Sequence, residues 1–232
     1  MKPFKIIAEL ADGKIATTDG YLPIDSILSY AWIKSNNPDE LYNGNPDSKT
    51  MEEMITPELP LEKREMAGEW YWAASFAVYQ TRGKFIDHWH KRFDKEYERF
   101  LGGRKMTFYP QSGRFRSYRM PLPGDLAERI IWYCCGNPDE TLKLLIGAAI
   151  THIGKKRSQG RGLIKQWKVE ETEKDYSEVG PNGELMRAML KPPEGLQGET
   201  VVRRYGIRPP YWHIDNKFNC IVPAKEDEKN AI

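Results

Sequence analysis

The chain has 232 residues, 40% of them hydrophobic and 29% charged, and its 35 basic and 33 acidic side chains leave a formal net charge of +2. Such a length supports one substantial core with insertions, and so even a charge balance by itself selects neither nucleic acid nor membrane. Three cysteines, two adjacent at Cys134 and Cys135, exclude a disulfide framework or a zinc-ligand spacing. No apolar run reaches the ~18 residues of a membrane span, and Met1-Lys2-Pro3-Phe4-Lys5 opens into a short apolar alternation rather than a secretory leader. A soluble, cytoplasmic protein without metal or cofactor is expected.

In chain order, residues 4–10 read as a short strand. Residues 23–34 read as a helix, because Ile24, Ile27, Leu28, Ala31 and Trp32 make one apolar stripe. Residues 36–61 are rich in Asn, Pro, Asp and Glu and read as an irregular insertion. Alternation of Trp70, Trp72, Ala74, Phe76 and Val78 predicts a strand over 70–79. Residues 85–100 suit a helix or an excursion outside the core, and 106–109 with 114–120 suggest a hairpin around Pro110-Gln111-Ser112-Gly113.

Residues 129–135 read as a further strand. Asn137 then caps a helix with Pro138 at its first position and Asp139 and Glu140 at the positive end of its dipole. Leu142, Leu145, Ile146, Ala149, Ile150 and Ile153 mark its predicted apolar face, and Gly154 its stop. A strand over 163–169 follows. The order strand, helix, strand, strand, helix, strand predicts an α+β, ferredoxin-like or RRM-like βαββαβ fold over 1–170, with long insertions at about 36–69 and 81–125. Residues 171–232 read as a C-terminal extension packed on it.

Charge is distributed unevenly along this frame. No acid occurs from Thr141 to Val169, which carries Lys143, Lys155, Lys156, Arg157, Arg161, Lys165 and Lys168, and a second basic segment holds Arg99, Arg104, Lys105, Arg114, Arg116 and Arg119. Local charge of this kind attracts polyanions even on a near-neutral protein. Within the first run lies Gly154-Lys155-Lys156-Arg157-Ser158-Gln159-Gly160-Arg161-Gly162. It lacks the Gly-Lys-Ser/Thr ending of a Walker loop and runs from a helix into a strand, the reverse polarity, which argues against an ATPase. Two uses remain open: amides freed by the glycines approach an RNA backbone while the cations neutralise phosphates, or the lysines complement a helix carboxyl end above a solvated turn.

The loop, placed between the last helix and the last strand, resembles the glycine-rich loop of the CRISPR-associated RAMP superfamily. Leu22-Pro23-Ile24-Asp25-Ser26-Ile27-Leu28-Ser29-Tyr30-Ala31 resembles the first helix of that superfamily. With Arg208-Pro209-Pro210-Tyr211-Trp212 near the end, the arrangement looks like the type IV member that caps the 5′ handle of the guide RNA. The resemblance implies a non-catalytic subunit that binds guide RNA and docks to the backbone repeat subunit. It also implies a large or small subunit as neighbour and a contribution to contact with target duplex DNA.

Handle recognition would combine phosphate contacts from the loop, contacts from Arg114, Arg116 and Arg119, and stacking of splayed bases. Candidates for stacking are Trp70, Trp72, Phe85, Trp89, Tyr109, Phe115 and Tyr118, while Arg203, Arg204 and Arg208 contact RNA or orient the tail. The alternative is a metal-independent endoribonuclease acting on repeat RNA. It would need a base and an acid from His88, His90 and His152.

Overall fold

The computed structural model describes residues 1–17, 20–41, 54–92, 96, 111–112 and 116–225. Strand β1, Lys2–Leu10, turns Phe4, Ile6, Ala8 and Leu10 inward, as a period of two requires. After the short β2, Lys14–Ile15, helix α1 spans Ile24–Asn36 and buries Ile24, Leu28 and Ala31 in the main core. Pro23 at its N-cap has no side chain to accept from the first turn; Ser26 Oγ donates back to the Pro23 carbonyl at 2.8 Å instead. Of the predicted insertion, Pro38–Leu41 forms a single 3₁₀ turn, Leu59 and Leu61 are buried in the core, and residues 42–53 lie outside the described residues.

The predicted strand over 70–79 is two pieces. β3, Lys63–Met66, pairs antiparallel with β4, Glu69–Trp72, and the chain beyond it makes isolated antiparallel bridges Ala74↔Cys134 and Val78↔Ile131. Trp72 and Ala74 serve the main core, Phe76 a second one, and Val78 is 39% exposed, so no single alternating face exists here. The helix or excursion expected over 85–100 begins as strand β5, Gly83–Lys91, which pairs along its whole length with β6, Tyr118–Leu126, while β6 also meets β2. Residues 118–120 of the expected hairpin belong to β6 and pair with β5, and its other arm, 106–109, lies outside the described residues.

β7, Arg129–Gly136, buries Ile130, Trp132 and Cys134 in alternation. Asn137 accepts the Glu140 amide at 3.2 Å and Pro138 opens α2, Pro138–Gly147, as the sequence predicts. The helix stops seven residues before Gly154, however. Ala148 is its C-cap, Ala149 turns left-handed at φ 48°, and Ile146 is 60% exposed, whereas Ile150 and Ile153 are buried from the following turn rather than from a helical stripe.

Strand β8, Ile164–Glu171, closes a sheet of order β7-β1-β8, all antiparallel, with α1 and α2 packed together and α2 against β8. The result is α+β and compatible with a ferredoxin-like fold. Trp132 and Trp167 sit 6.0 Å apart in its core, their indole nitrogens donating to the Leu22 and Ile150 carbonyls at 2.7 and 2.9 Å. Burial therefore leaves neither N–H unpaired. β9, Thr200–Gly206, and β10, Lys217–Pro223, form a separate hairpin whose Cys220 and Val222 share the second core with Tyr21, Phe76, Ala188 and Ile207. Cys134, Cys135 and Cys220 are free and buried. Among the described residues no helix is long and apolar enough to cross a membrane.

Candidate nucleic-acid interface

The glycine-rich loop is fastened at its base. Gly154 and Gly162 have φ of +79° and +64°, and a Cβ on either would stand 2.4 Å from the Ala16 oxygen or 2.0 Å from the Ile153 oxygen. Both positions therefore need glycine for backbone-to-backbone packing. The Lys155 amide donates to Ala16 at 2.6 Å and the Gly162 amide to Lys14 at 3.2 Å, which ties the loop to β2. Between them Arg157–Gln159 forms one 3₁₀ turn, entered through left-handed Lys156 and left through Gly160, whose amide donates to the Arg157 oxygen at 2.9 Å. The amides of Gly160 and Gly162 are thus engaged inside the chain rather than freed for a ligand. Gly160 differs from the other two: nothing lies within 4 Å of where its Cβ would be.

The side chains divide into anchors and exposed groups. Arg161 is buried, donates to Asp87 at 2.6 Å and lies over the Phe85 ring at 5.2 Å. It fastens the loop to β5 instead of presenting its charge outward. Lys156 lies 5.7 Å from the centre of the Trp89 ring, on the same face of β5, and Trp89 donates to the Tyr118 hydroxyl at 2.6 Å. Lys155, Arg157, Ser158 and Gln159 are exposed, with the Arg157 guanidinium over the Tyr30 ring of α1 at 5.1 Å.

Arg116 and Arg119 are exposed, and Arg114 and Phe115 lie outside the described residues, as does Tyr109. Arg119 is 3.4 Å from His88 Nδ1, and His88 and His90 stack on one face of β5 with ring centres 5.9 Å apart. His152 instead contacts the Thr151 hydroxyl at 3.0 Å; no contact among the described residues joins it to the other two histidines. Nor do the described residues contain a group of three or more His, Cys, Asp or Glu side chains able to hold a metal ion.

Next to the loop opens a cleft of about 860 Å³, lined by α1 (Ser26, Ser29, Tyr30), by Gly154 and Lys155, and by Arg204, Pro209-Pro210, Tyr211, Trp212 and Lys217. The three stretches that carry the resemblance are far apart in the chain, yet all contribute to this wall. Tyr211 donates to both carboxylate oxygens of Asp25 at 2.8 Å, joining the C-terminal stretch to the first helix. Arg208 is not available to a ligand in this arrangement: it bonds Glu69, the Trp70 carbonyl and Asn216, and so orients the tail. Trp70 and Trp72 likewise belong to the packed body, Trp70 being covered by Lys63 and Arg208.

Asp25 is fully buried, and desolvation raises its pKa from 3.8 to about 6 against the opposing pull of Arg187 and the Tyr211 hydroxyl. An acid whose folded pKa lies above its unfolded one favours the fold below the unfolded value and loses that contribution as pH rises through the folded one. The stability difference between Asp25→Asn and the parent should therefore shift in favour of the variant between pH 3.8 and about 6 and then level off. Its size is of the order of 2–3 kcal/mol, read from urea midpoints across that range. A difference that does not vary with pH would show that Asp25 titrates normally.

Sequence reasoning missed the cleft. Its one available signal was a pair of polar side chains on the apolar face of α1: Asp25 and Ser29 stand one helical turn apart and are both buried. Trp212, Tyr30 and Lys217 were absent from the expected contact residues.

The fold and this surface define a small α+β protein with a cation-bearing loop beside an aromatic-lined cleft. A family model described as "CRISPR type IV associated protein Csf3" matches residues 2–223, and the chain belongs to that family. The match bears out the resemblance to the type IV member read from the sequence. No curated protein matches the chain significantly.

Proposed function

We propose that this protein is a non-catalytic guide-RNA-binding subunit of a type IV CRISPR effector complex, holding the 5′ handle of the guide strand and docking to the backbone subunit. On this reading residues 73–78 are the second strand of a βαββαβ unit, which gives the order β8, β1, β7, 73–78 expected of a ferredoxin-like RAMP fold. The observation that carries the reading is the convergence of all three family-like stretches on one cleft. Beside it stand Lys155, Arg204 and Lys217, none of them in an ion pair among the described residues. Phosphates of a bound strand would lie along these cations and Arg157, while aromatic walls receive bases.

Replacing Lys155, Lys156 and Arg157 together by Ala should weaken binding of repeat-containing RNA about tenfold or more. It should also reduce the slope of log affinity against log salt by up to about 2, because fewer counterions are released. Unchanged affinity and slope would remove the loop from the interface. Incubation of the same RNA with and without chelator should leave it intact; cleavage lost in His88→Ala or His152→Ala would establish the endoribonuclease instead.

A further inference from the structure

The C-terminal hairpin has one closed edge and one open edge. On its far side β10 is bonded to Met189, whose amide donates to the Ile221 carbonyl at 3.0 Å and whose carbonyl accepts the Ile221 amide at 2.8 Å. Opposite residues of an antiparallel pair alternate between exchanging both backbone bonds and exchanging none. Ile221 gives both of its groups to Met189, so it exchanges none with Val202, its partner on β9. The bonds from the Ala224 amide to Glu199 and from the Ile207 amide to Asn216 agree, because they put the odd-numbered residues on the paired side. Thr200, Val202 and Arg204 therefore aim N–H and C=O away from β10. Among the described residues no other strand meets them there.

We propose that this edge takes up an extended segment of another protein subunit, which adds to β9 as a further strand; the inference rests on the effector-subunit reading above. Sheet edges are ordinarily blunted by proline, by a bulge or by a covering segment. β9 instead runs seven residues in unbroken register with β10 and holds no proline. Val202 stands near its middle, 71% exposed, in a Thr-Val-Val run that favours strand.

Alternating donors and acceptors at strand spacing match a polypeptide backbone and not a chain of phosphates. Charge then selects the kind of polypeptide. Arg204 is exposed on the same face as Val202, and a carboxylate directly opposite it would be stabilising. A second copy of the chain cannot supply one. The β9 positions that reach the edge are Thr200, Val202, Arg204 and Gly206, so self-pairing would set only neutral or cationic residues against Arg204. The occupant that fits is a different chain, with an aliphatic β-branched residue opposite Val202 and an Asp or Glu two residues further along, opposite Arg204.

Amide hydrogen exchange reads this edge residue by residue. In the isolated chain Val202 and Arg204 should exchange fast, and Val201, Arg203 and Tyr205, bonded to β10, slowly. In the complex assembled from the chain, guide RNA and the other type IV subunits, exchange at Val202 and Arg204 should slow by on the order of a hundredfold. Guide RNA bound to the chain alone should leave both fast. Val202→Pro removes the outward N–H and no bond of the β9–β10 ladder, so it should keep the urea midpoint and the RNA affinity of the isolated chain while weakening assembly with protein about tenfold. Val202→Thr keeps the donor and should assemble as the parent does.

Fast exchange at Val202 and Arg204 in the assembled complex would overturn the proposal, whether or not Val202→Pro folds. Protection by RNA alone would overturn it by giving the edge to nucleic acid, and protection that grows with the concentration of the isolated chain would overturn it by giving the edge to a second copy. A chain that assembles with no other protein subunit removes the reading on which the inference rests. One that assembles with its β9 edge still open removes the inference alone.

Discussion

Replacing Arg187 by Met should lower the free energy of unfolding by on the order of 3–5 kcal/mol, seen as a large drop in the urea midpoint. The guanidinium is 2% exposed and donates to the carbonyls of Trp72, Ala74 and Ile207, the last at 2.7 Å, while lying over the Tyr71 ring at 4.3 Å. It holds the chain after β4 against the C-terminal segment, and it supplies the positive charge that partly offsets burial of Asp25. Methionine fills much of the volume but strands three buried carbonyls, and each stranded acceptor costs about 1–3 kcal/mol. Arg187→Lys should recover part of the loss, because an ammonium keeps the charge without the planar fork. A loss below about 1 kcal/mol in the Met variant would mean that water or backbone shifts satisfy those carbonyls. Ile207 immediately precedes Arg208-Pro209-Pro210-Tyr211-Trp212, so the same guanidinium that stabilises the fold also positions one wall of the cleft.

This dependence was hidden in the sequence because its partners lie at |i−j| of 20, 113 and 115. The parts that were legible obey local rules. β1 and β7 alternate over a single apolar core, α1 shows one stripe, and Asn137-Pro138 announces α2. Hydrophobic period fails where the buried partner is not apolar. β5 turns Phe85, Asp87 and Trp89 to one face, and the groups that meet them include Arg161 and Lys156 of the loop, Lys14 of β2 and the Tyr118 hydroxyl, so an acid and two aromatics share a face with no hydrophobic rhythm.

The opposite failure occurs after Gly147. Ile150 and Ile153 keep helical spacing, yet they reach the core from a turn that Ala149 enters left-handed. For the site, the basic loop and the two flanking stretches could be read as motifs, but not that they close on one another. Asp25 and Tyr211 are 186 residues apart in the chain and 2.8 Å apart in space.

The glycines of the loop show what that closure demands, and they separate fold from binding by experiment. Gly162→Ala should cost on the order of 3–5 kcal/mol. Its Cβ would have to move away from an oxygen at 2.0 Å in a left-handed backbone, which breaks the bonds of Gly162 to Lys14 and Ile153. Gly160→Ala meets open space and carries only the left-handed penalty of roughly 1 kcal/mol. Urea denaturation should therefore rank Gly162→Ala far below Gly160→Ala, and RNA affinity should fall in Gly162→Ala because the loop loses its seat on β2. In Gly160→Ala a stable protein with weakened RNA binding would place the strand's backbone directly over that glycine. Stability and affinity both unchanged would put the strand on the Lys155 and Arg157 side of the loop, towards the cleft. Equal destabilisation by the two substitutions would contradict the division of the loop into a packed stem and an open tip.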